Sequence, residues 1–426
     1  MITSRYVAAL ISSYGLTILT VICQLLLVPL YLSHLGKDKL GVLLMIIGAT
    51  NYAAVGIGWL SGGAARLLSE ININSELKKF EEIYVVSKIV YVGYALAILL
   101  IGWLLFFLSF RLGALNGELI LSLVLASVNL IAIYEYSTDR IALSASHRQA
   151  LGNRCEIVGL LVSTVLIVLI LELGGNLPMV IFGQITGTVT TRILAWRVWH
   201  ALGVPFSYKN TSNFGNIWNS LTGKMGRDYF VYGAIQLSTQ ADILLIGWFA
   251  GAEVAATYYL IWRIPEVFIL LSSKIPEAYA PFLIRLDAEK SYAQMIKENR
   301  YGSNVMLLIG ALCFFLYWLL GPFVLNIWLG DSAPKESFPY LISATAAFFL
   351  IVSKWPSTTA YCLLNTRPLI KIAICELIIK IILIKVLISE QIFYAPAIAI
   401  AVAHGTLIFY LYRWLGGNTM LFVRSK

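Results

Sequence analysis

The chain has 426 residues, of which 59% are hydrophobic and only 12% charged, with a net charge of +9 and a mean hydropathy of +0.81. A soluble domain is about 45–50% apolar and about 25% charged, because its exterior needs polar cover. This composition excludes a soluble protein and indicates an integral membrane protein. Apolar stretches recur to the end of the chain, which excludes a secretory signal followed by a polar domain.

The apolar stretches are long enough to cross a bilayer. A helix needs about 20 residues to cross about 30 Å of hydrocarbon, and only helices or closed barrels satisfy the backbone in lipid. Because the stretches are continuous rather than alternating, we expect an all-α membrane protein with about twelve spans. They lie near 8–32, 40–62, 84–110, 119–138, 156–173, 178–199, 228–250, 254–280, 302–326, 338–361, 368–388 and 391–414.

The distribution of cations orients the chain. One set of alternate connecting segments holds 23 Lys and Arg residues and the other set holds 4. Cytoplasmic segments carry the excess of cations, so both termini are expected in the cytoplasm. Glu135 and Asp139 end the fourth predicted span, and we expect them to face the cytoplasm.

The spans divide into two equal groups. Six precede the 200–227 loop and six follow it, which predicts a first lobe at 1–210 and a second at 211–426. Because six is even, both lobes start on the same side, as in a parallel repeat about an axis along the membrane normal. A shift of 215 residues aligns four pairs of residues: Leu30 with Leu245, Gly36 with Gly251, Asp38 with Glu253, and Ile46 with Ile261.

The motifs of several enzyme classes are absent from the sequence. There is no phosphate-binding GxxxxGK[ST] loop and no HExxH zinc motif, the four histidines are scattered, and none of the five cysteines has CxxC spacing. We therefore expect a protein that is not an enzyme, has no cofactor or metal, and is not driven directly by ATP.

Ionisable residues inside spans are costly and indicate function. Asp242 lies in the outward half of the seventh span, which indicates protonation or pairing with a cation; a buried structural pair is the alternative. Arg263 and Glu266 are three residues apart in the eighth span and can face each other. An Arg beside aromatic rings suits a phosphate or sugar ligand, whereas a self-neutralising Arg–Glu pair is the structural alternative.

Further charged residues lie in other spans. Arg66 follows the glycines of the second span near its cytoplasmic end, as an anion-binding group or a topology anchor. Lys354 lies in the inner part of the tenth span. Glu376 and Lys380 are four residues apart in the favourable order, which predicts a structural ion pair.

Four motifs carry a resemblance to a known family. They are LVPLYL at 27–32, LGKDKLG at 35–41, DILLIG at 242–247 with Tyr258 and Tyr259 after it, and IPEAYAP at 275–281. The chain resembles Wzx-type O-antigen flippases, in the polysaccharide transporter branch of the multidrug/oligosaccharidyl-lipid/polysaccharide exporter superfamily. Leu40 stands where this family commonly has an aromatic residue.

The resemblance implies transport of an undecaprenyl-pyrophosphate-linked oligosaccharide across a bacterial inner membrane, for O-antigen or a related surface polysaccharide, with assembly proteins such as the polymerase as partners. On this view the substrate-binding candidates are Arg66, Arg263 and Lys354, and the candidates for ion or proton coupling are Asp242 and Glu266.

Three other functions remain open. A cation-coupled multidrug exporter would be expected to have a mostly acidic cavity, whereas these spans hold Arg263, Lys354, Lys380 and Lys385 alongside the acids. An O-antigen polymerase would be expected to have large outside loops, which the predicted topology lacks. A lipid II flippase usually has fourteen spans, against twelve predicted here.

Overall fold

A computed structural model describes residues 2–56, 64, 67–68, 76–109, 117–146, 148–201, 214–222, 242–362, 367–388 and 393–406. The backbone of these ranges is helical apart from short turns. The helices are α1 (Ile2–Gly56), α2 (Leu77–Ser109), α3 (Gly117–Ala145), α4 (Gln149–Glu172), α5 (Leu177–Ala201), α6 (Phe214–Thr222), α7 (242–250), α8 (Ala252–Ala288), α9 (Tyr292–Leu329), α10 (Phe338–Cys362), α11 (Arg367–Ile388) and α12 (Ala395–Thr406).

Within these ranges, seven helices are long and apolar enough to cross a membrane. The chain divides into two compact units, 1–233 and 234–426. Several helices extend beyond the predicted spans. The helix α2 begins at Leu77 rather than at residue 84, and α3 ends at Ala145 rather than at residue 138.

The first unit has a core of aromatic and aliphatic side chains at one end of α2. Phe80 and Tyr84 are buried against Trp199 of α5, with ring centroids 6.2 and 6.4 Å from the indole. Leu221 of the short helix α6 is buried in the same cluster. The burial of Phe80 and Tyr84 explains why the helix starts before the predicted span: these residues pack against protein.

The helices α4 and α5 cross at two glycines. A Cβ added to Gly159 would lie 2.6 Å from the carbonyl oxygen of Gly187, and one added to Gly187 would lie 2.7 Å from the carbonyl oxygen of Gly159. Small residues let helix backbones approach this closely, which is how helices commonly associate in membranes.

Each unit contains a sharp turn at a glycine with positive φ. Gly36 breaks α1 with φ 78° and ψ 169°, and Gly251 separates α7 from α8 with φ 95°. These are the two glycines that the 215-residue shift aligns. A Cβ at either position would meet no atom within 4 Å, so the conformation rather than packing requires glycine.

Replacing Gly36 or Gly251 with Ala is expected to lower the free energy of unfolding by about 1–3 kcal/mol, because a side chain strains this backbone conformation. Gly93 of α2 is the matched control, since it also has open space around it but no positive φ. Gly93→Ala is expected to be neutral or stabilising by up to about 1 kcal/mol. Thermal unfolding in detergent compares the three variants; equal behaviour would contradict the assignment of strain.

In the second unit, α8, α9 and α10 pack around buried tyrosines. The hydroxyl of Tyr317 donates a hydrogen bond to the carbonyl oxygen of Ile261, and its ring lies 5.9 Å from that of Tyr340. Gly302 of α9 lies directly against the indole of Trp355, where a Cβ would approach to 1.9 Å.

Candidate functional site

A cluster of charged and polar side chains lies inside the second unit. We define the buried charge cluster as Asp242 of α7, Tyr258 of α8, Glu376 and Lys380 of α11, and His404 of α12. The ammonium of Lys380 lies 2.8 Å from Oδ1 of Asp242 and 2.8 Å from Oε1 of Glu376. All five residues are buried, and Lys380 is 0% exposed.

The remaining carboxylate oxygens of the cluster also have partners. The Tyr258 hydroxyl donates to Oδ2 of Asp242 at 3.2 Å, and Nε2 of His404 lies 2.9 Å from Oε2 of Glu376. The cluster therefore joins α7, α8, α11 and α12 through polar contacts. A buried charge is tolerated only when it is paired in this way.

The structure places the predicted residues of this cluster together. The ion pair predicted between Glu376 and Lys380 is present, and Asp242 pairs with the same lysine. Tyr258 and His404 were not predicted as members. Their contacts with Asp242 and Glu376 depend on tertiary packing, which has no signature in the spacing of residues.

A second set of residues forms an aromatic–arginine group on α8, which we define as Tyr258, Tyr259, Trp262, Arg263 and Glu266. Nη1 of Arg263 lies 2.6 Å from Oε2 of Glu266, and its guanidinium lies 5.8 Å from the Tyr259 ring centroid. Tyr258 and Trp262 stack at 6.0 Å with an interplanar angle of 12°.

The two charges of this group differ in exposure. The Arg263 side chain is 8% exposed and that of Glu266 is 41% exposed. Nε of Arg263 is buried and has no hydrogen-bond acceptor among the described residues. The predicted contact between Arg263 and Glu266 is present, but it leaves one buried donor of the guanidinium unsatisfied, which is costly.

Of the other two predicted substrate-binding residues, the structure describes Lys354 but not Arg66. Lys354 of α10 is half-buried, and no carboxylate in the described part of the chain lies within ion-pair distance of its ammonium. Arg66 lies outside the described residues, so its role stays a sequence prediction.

The first unit holds an ionic network that the sequence did not predict. Asp139 accepts a hydrogen bond from the Tyr84 hydroxyl, and Lys88 lies 3.7 Å from Asp139 and 3.5 Å from Glu135. Arg192 of α5 pairs with Glu135. Asp139 is 4% exposed, because α3 continues to Ala145 and packs this residue against α2. The expectation that it faces the cytoplasm stays a prediction.

The described residues contain no group of three or more His, Cys, Asp or Glu side chains placed to hold a metal ion. The acids of the buried charge cluster are occupied by a lysine, a tyrosine and a histidine instead.

Solved transporters have the same fold as this chain. A multidrug resistance MATE family transporter of the MOP superfamily, in an inward-facing conformation, matches with a TM-score of 0.77 and 14% identity over 96% of each chain. The lipid II flippase MurJ, in an inward closed conformation, matches with a TM-score of 0.72 and 12% identity over 96% of this chain and 87% of the flippase. A MOP superfamily transporter from Pyrococcus furiosus, described as having a binding pocket of reverse polarity, matches with a TM-score of 0.63 and 15% identity over 98% of this chain and 94% of that one.

Sequence comparison alone finds no match: neither a family model nor a curated protein is similar enough to this chain. The structural likeness establishes the fold. The protein is a multi-pass, all-helical membrane protein with the fold of MOP superfamily transporters, and the predicted fold class of about twelve spans in two lobes is confirmed.

Proposed function

We propose that this protein is a flippase that moves undecaprenyl-pyrophosphate-linked oligosaccharide repeat units from the cytoplasmic to the periplasmic leaflet of a bacterial inner membrane. Transport by alternating access would supply O-antigen or a related surface polysaccharide to later assembly proteins such as the polymerase. The observation that carries the proposal is Arg263: a buried guanidinium among aromatic rings, with one donor unsatisfied.

The chemistry of this cargo fits the aromatic–arginine group. A guanidinium binds two oxygens of a phosphate at once, and an incoming pyrophosphate oxygen would satisfy the free Nε of Arg263. The rings of Tyr259 and Trp262 offer apolar faces to sugars. A pyrophosphate with several sugars cannot cross hydrocarbon unaided, because each unpaired polar group costs several kcal/mol.

Two further cations support an anionic cargo. The ammonium of Lys354 has no carboxylate at ion-pair distance in the described part of the chain, so we propose that it binds substrate oxyanions. We keep Arg66 as a third substrate-binding candidate on sequence grounds. We also propose that the lobes divide at residue 210, into 1–210 and 211–426, and that both termini lie in the cytoplasm.

Proton coupling would act through ion pairs. We propose Asp242 and Glu266 as the coupling carboxylates, because each holds a cation: Asp242 holds Lys380, and Glu266 holds Arg263. Protonation of Glu266 would release Arg263 to bind the pyrophosphate. If neutralising both carboxylates left transport and its pH dependence unchanged, this coupling role would be wrong.

Deleting the gene in its host tests the cargo. We expect undecaprenyl-linked repeat units to accumulate on the cytoplasmic leaflet and the long surface polysaccharide to disappear, with recovery from a plasmid copy. Extraction of lipid-linked glycans and gel display of lipopolysaccharide measure both. An unchanged surface glycan with no accumulation would overturn the flippase proposal.

Arg263→Ala on that plasmid is expected to abolish recovery, and Arg263→Lys to restore it only in part, because lysine keeps the charge but loses the planar fork. Lys274→Ala is the matched control, since Lys274 forms an i,i+3 pair with Glu277 on the same helix at 2.8 Å but is more exposed. It is expected to support full recovery at equal protein level. Full activity of Arg263→Ala would remove Arg263 from the substrate site.

A cation-coupled multidrug exporter and a lipid II-type flippase are the alternative functions. They are kept because a multidrug resistance transporter and a lipid II flippase have this fold. Altered drug sensitivity in the deletion strain, with normal surface glycan, would favour the exporter. Accumulation of lipid II instead of a repeat unit would favour the second kind of flippase.

A further inference from the structure

Lys380 occupies a position at which two acidic side chains from different helices converge. Its ammonium lies 2.8 Å from a carboxylate oxygen of Asp242 on α7 and 2.8 Å from one of Glu376 on α11. The lysine is completely buried, and both acids are more than nine-tenths buried. This burial distinguishes the contact from surface ion pairs, which are weak and screened by salt.

The lysine is needed for charge balance. Asp242 and Glu376 carry two negative charges in a buried place, and two carboxylates that share such a place cannot both stay ionised without a cation between them. Among the described residues, the Tyr258 hydroxyl and Nε2 of His404 contact the two outer oxygens. Lys354 on α10 interacts electrostatically with Glu376 from beyond ion-pair distance, whereas Arg263 on α8 pairs with Glu266 instead of with either acid.

The two inner oxygens therefore form a receptor for a single positive charge. They are hard oxygen donors, are held by two helices, and already have a singly charged group at contact distance. We propose that the buried charge cluster is a monovalent-cation site that the protein fills with its own Lys380 ammonium, so that a free alkali-metal or small ammonium ion enters only when that ammonium is removed.

This inference does not depend on the cargo, since it concerns the stability of the second unit. For the transport cycle it means that an alkali-metal ion does not bind between Asp242 and Glu376 in the natural protein. The proton coupling proposed for Asp242 then requires a proton to compete with the Lys380 ammonium for the Asp242 carboxylate.

Two substitutions of Lys380 separate loss of charge from loss of volume. Lys380→Ala removes the ammonium and leaves space, whereas Lys380→Met removes the charge and keeps most of the volume. The full chain and both variants would be purified in detergent and unfolded thermally in NaCl, KCl, methylammonium chloride or N-methyl-D-glucamine chloride at one ionic strength. Constant ionic strength removes general screening from the comparison.

We expect the unfolding midpoint of Lys380→Ala to rise with the concentration of sodium, potassium or methylammonium relative to the bulky N-methyl-D-glucamine ion, because a ligand of the native state stabilises it with increasing concentration. The unsubstituted chain and Lys380→Met are expected to show no such rise. The rise is expected to vanish in Lys380→Ala combined with Asp242→Asn, which removes one carboxylate.

Three results would overturn the inference. One is a Lys380→Ala protein with the same midpoint in every cation. Another is failure to obtain folded Lys380→Ala in any of the cation solutions, since a small cation is expected to restore folding of this variant. The last is a rise specific to sodium or potassium in the unsubstituted chain that Asp242→Asn abolishes. Transport is not measured, so these outcomes are independent of the flippase proposal.

Discussion

Lys380→Met is expected to lower the free energy of unfolding by about 3–5 kcal/mol, since removing one partner of a buried ion pair leaves an uncompensated charge. Here it leaves two, on Asp242 and Glu376, because both acids lie 2.8 Å from the same ammonium. Most of the protein is expected to be lost during purification. Thermal unfolding of the remaining folded fraction in detergent, monitored by size-exclusion chromatography, gives the shift.

The cause of this loss is tested by removing all three charges together. Asp242→Asn and Glu376→Gln added to Lys380→Met are expected to recover most of the stability, because neutral groups of similar volume can replace a buried ion pair at little cost. Lys274→Met is the control for losing a lysine, since Lys274 pairs with Glu277 at the surface and should cost less than about 1 kcal/mol. If Lys380→Met were as mild as Lys274→Met, the charges of the cluster would not be stabilising the unit.

The part of this cluster that the sequence predicts is the part that lies on one helix. Glu376 and Lys380 are four residues apart, and helix geometry alone brings such residues together. Asp242 was recognised from its cost inside a span, with a cation as one possible partner. Which cation it pairs with depends on how α7 packs against α11, and no spacing of residues encodes that contact.

The ionic network of the first unit was missed for a different physical reason. Hydropathy ended the fourth span at residue 138, and the charged residues there were assigned to the cytoplasmic face. The helix instead continues to Ala145, because Tyr84 and Lys88 of α2 satisfy Asp139 within the protein. A drop in hydropathy therefore marked a buried polar contact rather than the end of the helix.

The glycines also fall into two groups, those whose role the sequence indicates and those whose role only the packing of the helices shows. Gly36 and Gly251 were recognised because a repeat aligned them, and both have the positive φ of a sharp turn. Gly159 and Gly187 lie among apolar residues of two helices, and their sequence context does not distinguish them from glycines in open space such as Gly93. Only the packing of α4 against α5 shows that a side chain there would meet backbone.

Gly159→Leu and Gly187→Leu are expected to prevent folding of the first unit, and Gly159→Ala to cost about 1–3 kcal/mol, the usual effect of overpacking. The carbonyl oxygens that an added Cβ would meet lie at 2.6 and 2.7 Å and belong to the backbone. A side-chain rotation cannot relieve such a contact, so α4 and α5 would have to separate. The amount of monodisperse protein after detergent extraction, and its unfolding midpoint, measure the effect.

Gly152 of α4 is the matched control for these substitutions. Its Cβ would meet the Leu143 side chain at 3.4 Å, an ordinary contact, so Gly152→Ala is expected to leave the midpoint nearly unchanged. If Gly159→Ala behaved like Gly152→Ala, the backbones of α4 and α5 would not be in close contact in the membrane. A large drop in the unfolding midpoint for Gly159 and Gly187 variants, but not for Gly152→Ala, would show that close backbone packing at this crossing stabilises the first unit. Such packing matters because lipid supplies no hydrophobic force between helices.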